Sequence, residues 1–225
     1  RTVHVPLSQE KGICCSSLVK KGDVVREGQI IAVPSGVSDG KYYAKIHAPV
    51  PGTVENIVSC ICPDGRHEDA VEISLKGSFT YLGKKHSGDK WQYEDAAALL
   101  VKFAECGIVN TFETNSPASL AVQISGLDKM KGKILAVRMY DDDPSRITDS
   151  LVSSLYSSEI VNGALITAKA MNAKRIVFIS DTHADNPVLP EDVKNIQLRN
   201  VKINTAVYPS GYMREIRRAV KKSLR

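Results

Sequence analysis

Two stretches of this sequence place carboxylates close enough together to do chemistry. In DDDP (141–144) the adjacent aspartates could gather around a hard cation, whose preferred ligands are oxygens. The same residues are ordinary helix-start chemistry, an Asp accepting from exposed backbone N–H groups ahead of a helix, and capping is the reading preferred here. In SDTHADNP (180–187), Asp181, His183 and Asp185 alternate and could also bind a cation. A polar loop folded by Asx turns explains them more simply. His4, His47, His67 and His86 have no partner at ligand spacing. The five cysteines are Cys14, Cys15, Cys60, Cys62 and Cys106. None stands in the C-x-x-C spacing of a zinc or iron–sulfur site, and an odd count without a framework suits reduced thiols in a cytoplasmic setting. There is no G-x-S-x-G, no Walker loop and no H-E-x-x-H, so a hydrolase or kinase has no footing.

The elements that must position these residues fall into two halves of different period. Residues 1–78 read as all-β. VHVPL (3–7) opens a strand, and LVKKGDVVREGQIIA (18–32) sets Gly22-Asp23 and Gly28 between short apolar runs. PSGVSDGK (34–41) is a loop, and YYAKIHA (42–48) alternates until Pro49, Pro51 and Gly52 force a turn into TVENIV (53–58). After the Asp-Gly turn of CPDGRHED (62–69), AVEISL (70–75) is a strand. Short strands with a turn between each suggest a small barrel or sandwich.

Residues 79–225 change period, with the boundary inside KGSFTYLGKKHSGDK. EDAAALLVKFAEC (94–106) predicts a helix with Gly107 just past its end. Strands are expected at KILAVRMY (133–140), RIVFIS (175–180) and VKINTAVY (201–208). The nearly all-apolar RIVFIS suits a parallel strand covered on both faces. A helical pattern runs from Ile147 to Met171, with a possible break at Ser157-Ser158, and GYMREIRRAVKKSLR (211–225) predicts a last helix. The expected fold is an N-terminal barrel-sandwich hybrid followed by an open, Rossmann-like α/β domain.

A net charge of +5 and a pI near 8.9 are mildly basic, which is no nucleic-acid signature. No apolar run approaches the roughly 18 residues needed to cross a bilayer. The last helix carries Arg214, Arg217, Arg218, Lys221, Lys222 and Arg225; a solvated face is the preferred reading, and an anionic lipid or acidic partner the alternative.

The strands and turns of KIHAPVPGTVENI (45–57) are those of domains that carry a biotin or lipoyl arm. Such an arm needs a Lys at the tip of a tight hairpin, in Met-Lys-Met or next to an Asp. Lys41 and Lys45 are the candidates here, neither has that context, and Lys45 lies in the alternating strand itself. The fold is therefore expected without its arm.

Five segments, in order, resemble RnfC, the soluble subunit of the Rnf ion-pumping electron-transport complex of bacteria. They are VPLSQEKGICCSSLVKKGDVVREGQIIA (5–32), KIHAPVPGTVENI, GRHEDAVEI (65–73), EIVNGALITAKAMNAKRIVFIS (159–180) and VYPSGYMREIRRAV (207–220). The A subunit of the sodium-pumping NADH:quinone reductase is the nearest competitor; the Tyr-Pro-x-Gly stretch favours RnfC.

The resemblance implies a peripheral subunit on the cytoplasmic face of the inner membrane. Its partners would be integral membrane and redox subunits, with ferredoxin a possible one. It also implies an α/β domain like the FMN- and NADH-binding domain of complex I. The glycine-rich loop of that domain, about G-x-G-G-A-G-F-P, corresponds here to GIVNTFETNSPASL (107–120), which has no glycine after Gly107 until Gly126. Phe112 and Glu113 would fill and repel the phosphate position, and only Pro117 is kept. The next motif appears as RMYDDDP (138–144): Asp141, Asp143 and Pro144 are kept and Arg138 replaces an Asn. In YPSGYMRE (208–215) an acidic position becomes Met213. The site is expected to be degenerate, with Asp141, Asp143, Tyr208 and Gly211 its surviving contacts; the alternative is a working FMN/NADH module built on those four. The family's iron–sulfur clusters belong to a Cys-rich segment not found here, and are expected only beyond a fragment ending at residue 225.

Overall fold

The computed structural model describes residues 1–10, 12–38, 40–62, 65–75, 90–110, 117–141, 143, 146–190, 195–204 and 212–223. They form two compact units, Arg1–Leu127 and Asp128–Arg225.

The first unit opens with β1 (Thr2–Pro6), β2 (Cys15–Ser17), β3 (Val24–Val25), β4 (Ile30–Pro34), β5 (Ile46–His47), β6 (Gly52–Ile61) and β7 (His67–Leu75). They make two antiparallel sheets, β1-β7-β6-β3 and β2-β4-β5. Residues of both sheets meet in one core: Val5, Val25 and Val54 from the first, Ile31, Ala32 and Ile46 from the second. Burial of that apolar surface is the main force holding the sheets together. Gly52, at the start of β6, lies against β7 with no room for a side chain. A Cβ there would run into the Ser74 carbonyl oxygen and lie 2.8 Å from Ile73 Cγ2, so no larger residue fits.

The same unit continues with α1 (Ala96–Glu105), β8 (Val109–Asn110), β9 (Ala118–Ser119) and α2 (Leu120–Ser125). Asp95 caps α1 by accepting from the Ala98 N–H at 2.7 Å. At the other end Gly107 takes φ +67°, and the Ile108 N–H returns to the Phe103 carbonyl at 2.9 Å. That is the six-to-one bond of a Schellman ending. Leu99, Leu100, Phe103 and Ala104 are the buried face. The change of period near residue 78 and the division between compact units at Leu127 thus stand at different places, because the end of α1 bonds to Lys45 and His47 and Ser119, ahead of α2, bonds to Glu10 and Tyr42. The expected boundary segment lies outside the described residues.

The second unit contains β10 (Ile134–Arg138), α3 (Thr148–Leu155), α4 (Ser157–Met171), β11 (Arg175–Asp181), β12 (Gln197–Ile203) and α5 (Tyr212–Ser223). The three strands are parallel in the order β10-β11-β12. Ile176 to Ile179 are buried in the central strand, as an unbroken apolar run requires. α4 packs on β10 and β11 through Val161, Ala164, Leu165 and Ala168; α5 packs on β12 and β11. The long helical pattern breaks at Tyr156, one residue before the Ser pair. Ile147, Leu151 and Leu155, although spaced as a stripe, stay exposed. β12 starts four residues earlier than the apolar pattern suggests, because pairing with β11 extends it through the polar Gln197 and Arg199. Among the described residues, no helix is long and apolar enough to cross a membrane.

Candidate functional site

The expected nucleotide segments belong to different units and are described one at a time. In the first unit, β8 and β9 pair Val109 with Ser119 and Asn110 with Ala118. The loop between them, with Phe112 and Glu113, lies outside the described residues. Where β9 turns into α2, Ser119 is fully buried. Its N–H donates to Glu10 Oε1 at 2.8 Å, and its hydroxyl donates to the Tyr42 carbonyl at 2.5 Å. The backbone donor at the start of α2 is therefore already bound to a carboxylate of this chain. The other Glu10 oxygen, Oε2, is buried and accepts no hydrogen bond among the described residues. Burial pushes the Glu10 carboxyl up, the Ser119 amide only partly offsets it, and the net shift is upward.

Glu10 lines an 80 Å³ cavity with Ile13, Cys15, Lys45, Gly107 and Pro117. Burial, then the neighbouring Cys14 and Glu10, push the Cys15 thiol up to about 11. Such a thiol is protonated at neutral pH and is a poor nucleophile.

His47 and Lys45 meet the C-terminal end of α1. The His47 Nε2–H donates to the Glu105 carbonyl at 2.8 Å, and the Lys45 N–H donates to the Ala104 carbonyl at 3.0 Å. Lys45 Nζ pairs with Glu105 Oε1 at 3.2 Å. Both side chains stand where a helix leaves carbonyls unmatched and carries negative partial charge. His47 thus serves as a clasp on that helix. Lys41 Nζ lies 4.8 Å from the Tyr42 ring centroid.

In the second unit the altered motif closes onto α3. Arg138 Nη2 donates to Asp149 Oδ2 at 2.9 Å. Asp141 accepts from the Asp149 N–H at 2.9 Å, the Ser150 N–H at 3.0 Å and the Ser150 hydroxyl at 2.6 Å. It thus caps α3 from seven residues before Thr148. Burial raises the Asp141 carboxyl, the hydrogen bonds from Ser150 and Asp149 and the charge of Arg138 more than offset this, and the group titrates below its ordinary value. The carbonyl of Asp143 accepts from the Arg146 N–H at 2.9 Å, in the turn before α3. Tyr208 and Gly211 lie outside the described residues. In the DTHAD loop, Asp181 Oδ1 accepts from the His183 N–H at 2.8 Å, an Asx turn. Among the described residues no three His, Cys, Asp or Glu side chains are placed to hold a metal ion.

Sequence reasoning found Asp141 and its capping role but missed Glu10 and Ser119. They are 109 positions apart, and neither stands in a recognisable motif.

Residues 1–78 match the RnfC barrel sandwich hybrid domain family. Three relatives extend the likeness beyond that domain. The C subunit of the ion-translocating oxidoreductase complex of Actinobacillus succinogenes is 25% identical over 95% of this chain and 30% of its own length. The C subunit of the proton-translocating ferredoxin:NAD(+) oxidoreductase complex of Clostridium ljungdahlii is 25% identical over 93% of this chain and 44% of its own. The C subunit of the ion-translocating oxidoreductase complex of Methanosarcina acetivorans is 26% identical over 78% of this chain and 35% of its own. The chain thus spans less than half the length of these relatives.

Proposed function

We propose, for a chain whose first 78 residues are an RnfC barrel sandwich hybrid domain and which is RnfC-like over most of its remaining length, a scaffolding role in a membrane-bound electron-transport complex. It acts there as a peripheral component of an ion-translocating complex of ferredoxin:NAD oxidoreductase type, at the cytoplasmic face of the membrane. Its partners are the integral membrane and redox subunits. The Rossmann-like fold expected within residues 79–225, related to the flavin/NADH domain of complex I, is carried by the unit Asp128–Arg225; the parallel sheet β10-β11-β12 with α4 and α5 against it supports this.

Within that role the FMN/NADH site is degenerate, and the chain docks and positions subunits that carry the electrons. One observation carries this reading: the Ser119 N–H at the start of α2, in the segment matching the glycine-rich loop, is held by the Glu10 carboxylate. A phosphate would have to displace that anion and would be repelled by it. The capping role of Asp141 points the same way, since its carboxylate already accepts three hydrogen bonds.

The test is calorimetric titration of the purified chain with FMN and with NADH, alongside an absorbance spectrum. A colourless protein that binds neither at millimolar ligand agrees with the scaffold. Micromolar affinity for either ligand, or a bound flavin spectrum, refutes the degenerate site and makes this a dehydrogenase module. Copurification with integral membrane subunits tests docking separately.

A further inference from the structure

At the end of the parallel sheet opposite Asp141 and Asp143, the chain enters all three strands through a similar bend. Gly132, Asn172 and Asn195 take φ of +68°, +54° and +69°, two or three residues before β10, β11 and β12 begin. These bends surround a cleft of about 670 Å³. Its lining includes Lys133, Lys174 and Arg175. Across the first row of the sheet Ile134, Arg175 and Gln197 are in register.

Among the described residues, two of these cations are set in place without a close carboxylate. The Lys133 side chain is only 9% exposed, yet its ammonium makes no hydrogen bond among the described residues. Its nearest carboxylate oxygen, Asp128 Oδ1, is 4.0 Å away on a side chain that is 70% exposed. A pair so long and so wet contributes little, so the Lys133 stem is held by packing while its ammonium keeps donors to spare. Arg175 Nε donates to Gln197 Oε1 at 3.0 Å, which orients the guanidinium. Its two Nη groups make no hydrogen bond among the described residues, so a fork of N–H donors is left over on a residue that lines the cleft. The Lys174 ammonium is likewise unpaired among the described residues, and its main-chain carbonyl holds the Gln197 N–H at 2.9 Å.

We propose that this cleft binds a phosphate group. A guanidinium fork, two ammonium groups and the side-chain amides of Asn172 and Asn195 offer more donors than the two oxygens of a carboxylate can accept. They match a tetrahedral dianion with three or four oxygens. The phosphate can come from a soluble phosphorylated molecule or from a lipid headgroup, and the two sources separate experimentally.

The whole chain is titrated with sodium pyrophosphate at low ionic strength, and sedimented with phosphatidylglycerol–phosphatidylcholine vesicles. Lys133→Met, Arg175→Gln and, as a charge-matched control on α5, Lys221→Gln are compared with the parent. Loss of one charge-assisted contact is expected to weaken binding about tenfold in Lys133→Met and Arg175→Gln, with Lys221→Gln unchanged. Pyrophosphate binding with that pattern identifies a soluble ligand. Vesicle binding with that pattern and no response to pyrophosphate identifies a headgroup. The proposal is overturned if the parent binds neither, if Arg175→Gln binds like the parent, or if Lys221→Gln weakens binding equally. Thermal melts accompany each variant. If Lys133→Met fails to fold, the partly exposed Arg175 carries the comparison alone.

Discussion

Replacing Asp141 by Ala separates a capping carboxylate from a ligand-binding one. The substitution removes an acceptor from two backbone N–H groups and one hydroxyl at the start of α3. Water can reach this edge of the helix, so the loss is that of an exposed cap, about 1 kcal/mol. The carboxylate also faces the positive end of the helix dipole, which adds roughly 0.3–1 kcal/mol. The total expected destabilisation is therefore about 1–2 kcal/mol. Asp141→Asn keeps one acceptor oxygen and should lose about half as much. Urea unfolding followed by far-UV circular dichroism measures both. The folded-state carboxyl titrates below its ordinary 3.8. Its contribution is thus present above that pH and is lost as the pH falls through the lower, folded-state value. The gap between parent and Asp141→Ala should close in strong acid. Unchanged stability at pH 7, together with altered affinity for FMN, NADH or a divalent cation, would refute the capping argument and restore Asp141 as a binding residue.

Three other substitutions or treatments test the packing. Gly52→Ala should cost more than about 2 kcal/mol or prevent folding, since its Cβ would meet the Ser74 carbonyl oxygen and Ile73; the unfolding midpoint reads this directly, and a parent-like midpoint would contradict it. Glu10→Gln keeps an acceptor for the Ser119 N–H but removes a carboxylate whose folded-state value is raised above 4.5. A raised acid destabilises the fold progressively as pH climbs through that window, so Glu10→Gln should gain stability over the parent at neutral pH and none near pH 4. In iodoacetamide labelling read by mass spectrometry, the exposed Cys14 and Cys106 should react well before Cys15, whose thiol titrates near 11; equal rates would mean the Cys15 environment is wrong.

Local signals in the sequence carried far where the physics was local. Gly107 marks the end of α1 because the left-handed ending involves only near neighbours. RIVFIS declared a strand buried on both faces because no polar residue interrupts it. β12 was harder: its first four residues, QLRN, are polar enough to pass for loop, and only pairing with β11 makes them strand. The apolar spacing of Ile147, Leu151 and Leu155 announced a helix correctly but not which side of it would be covered. Least legible were Glu10 with Ser119 and His47 with Glu105. Each is a contact across a long stretch of chain, between residue types that are common anywhere. The Asp141 cap lay between these cases: DDDP was recognisable as capping chemistry, while its targets eight and nine residues downstream were not.

The clasp of Lys45 and His47 on the end of α1 bears on how this protein can be cut and recombined. A piece ending at residue 78 would contain every barrel strand and look like a transferable module. It would also part Lys45 and His47 from the helix carbonyls, Glu10 from the Ser119 amide, and the Tyr42 carbonyl from its donor. A graft made there would carry a seam of freshly exposed polar groups and uncovered apolar side chains. A join after Leu127 severs none of these bonds, so the unit of inheritance for the first half of this chain is longer than its barrel.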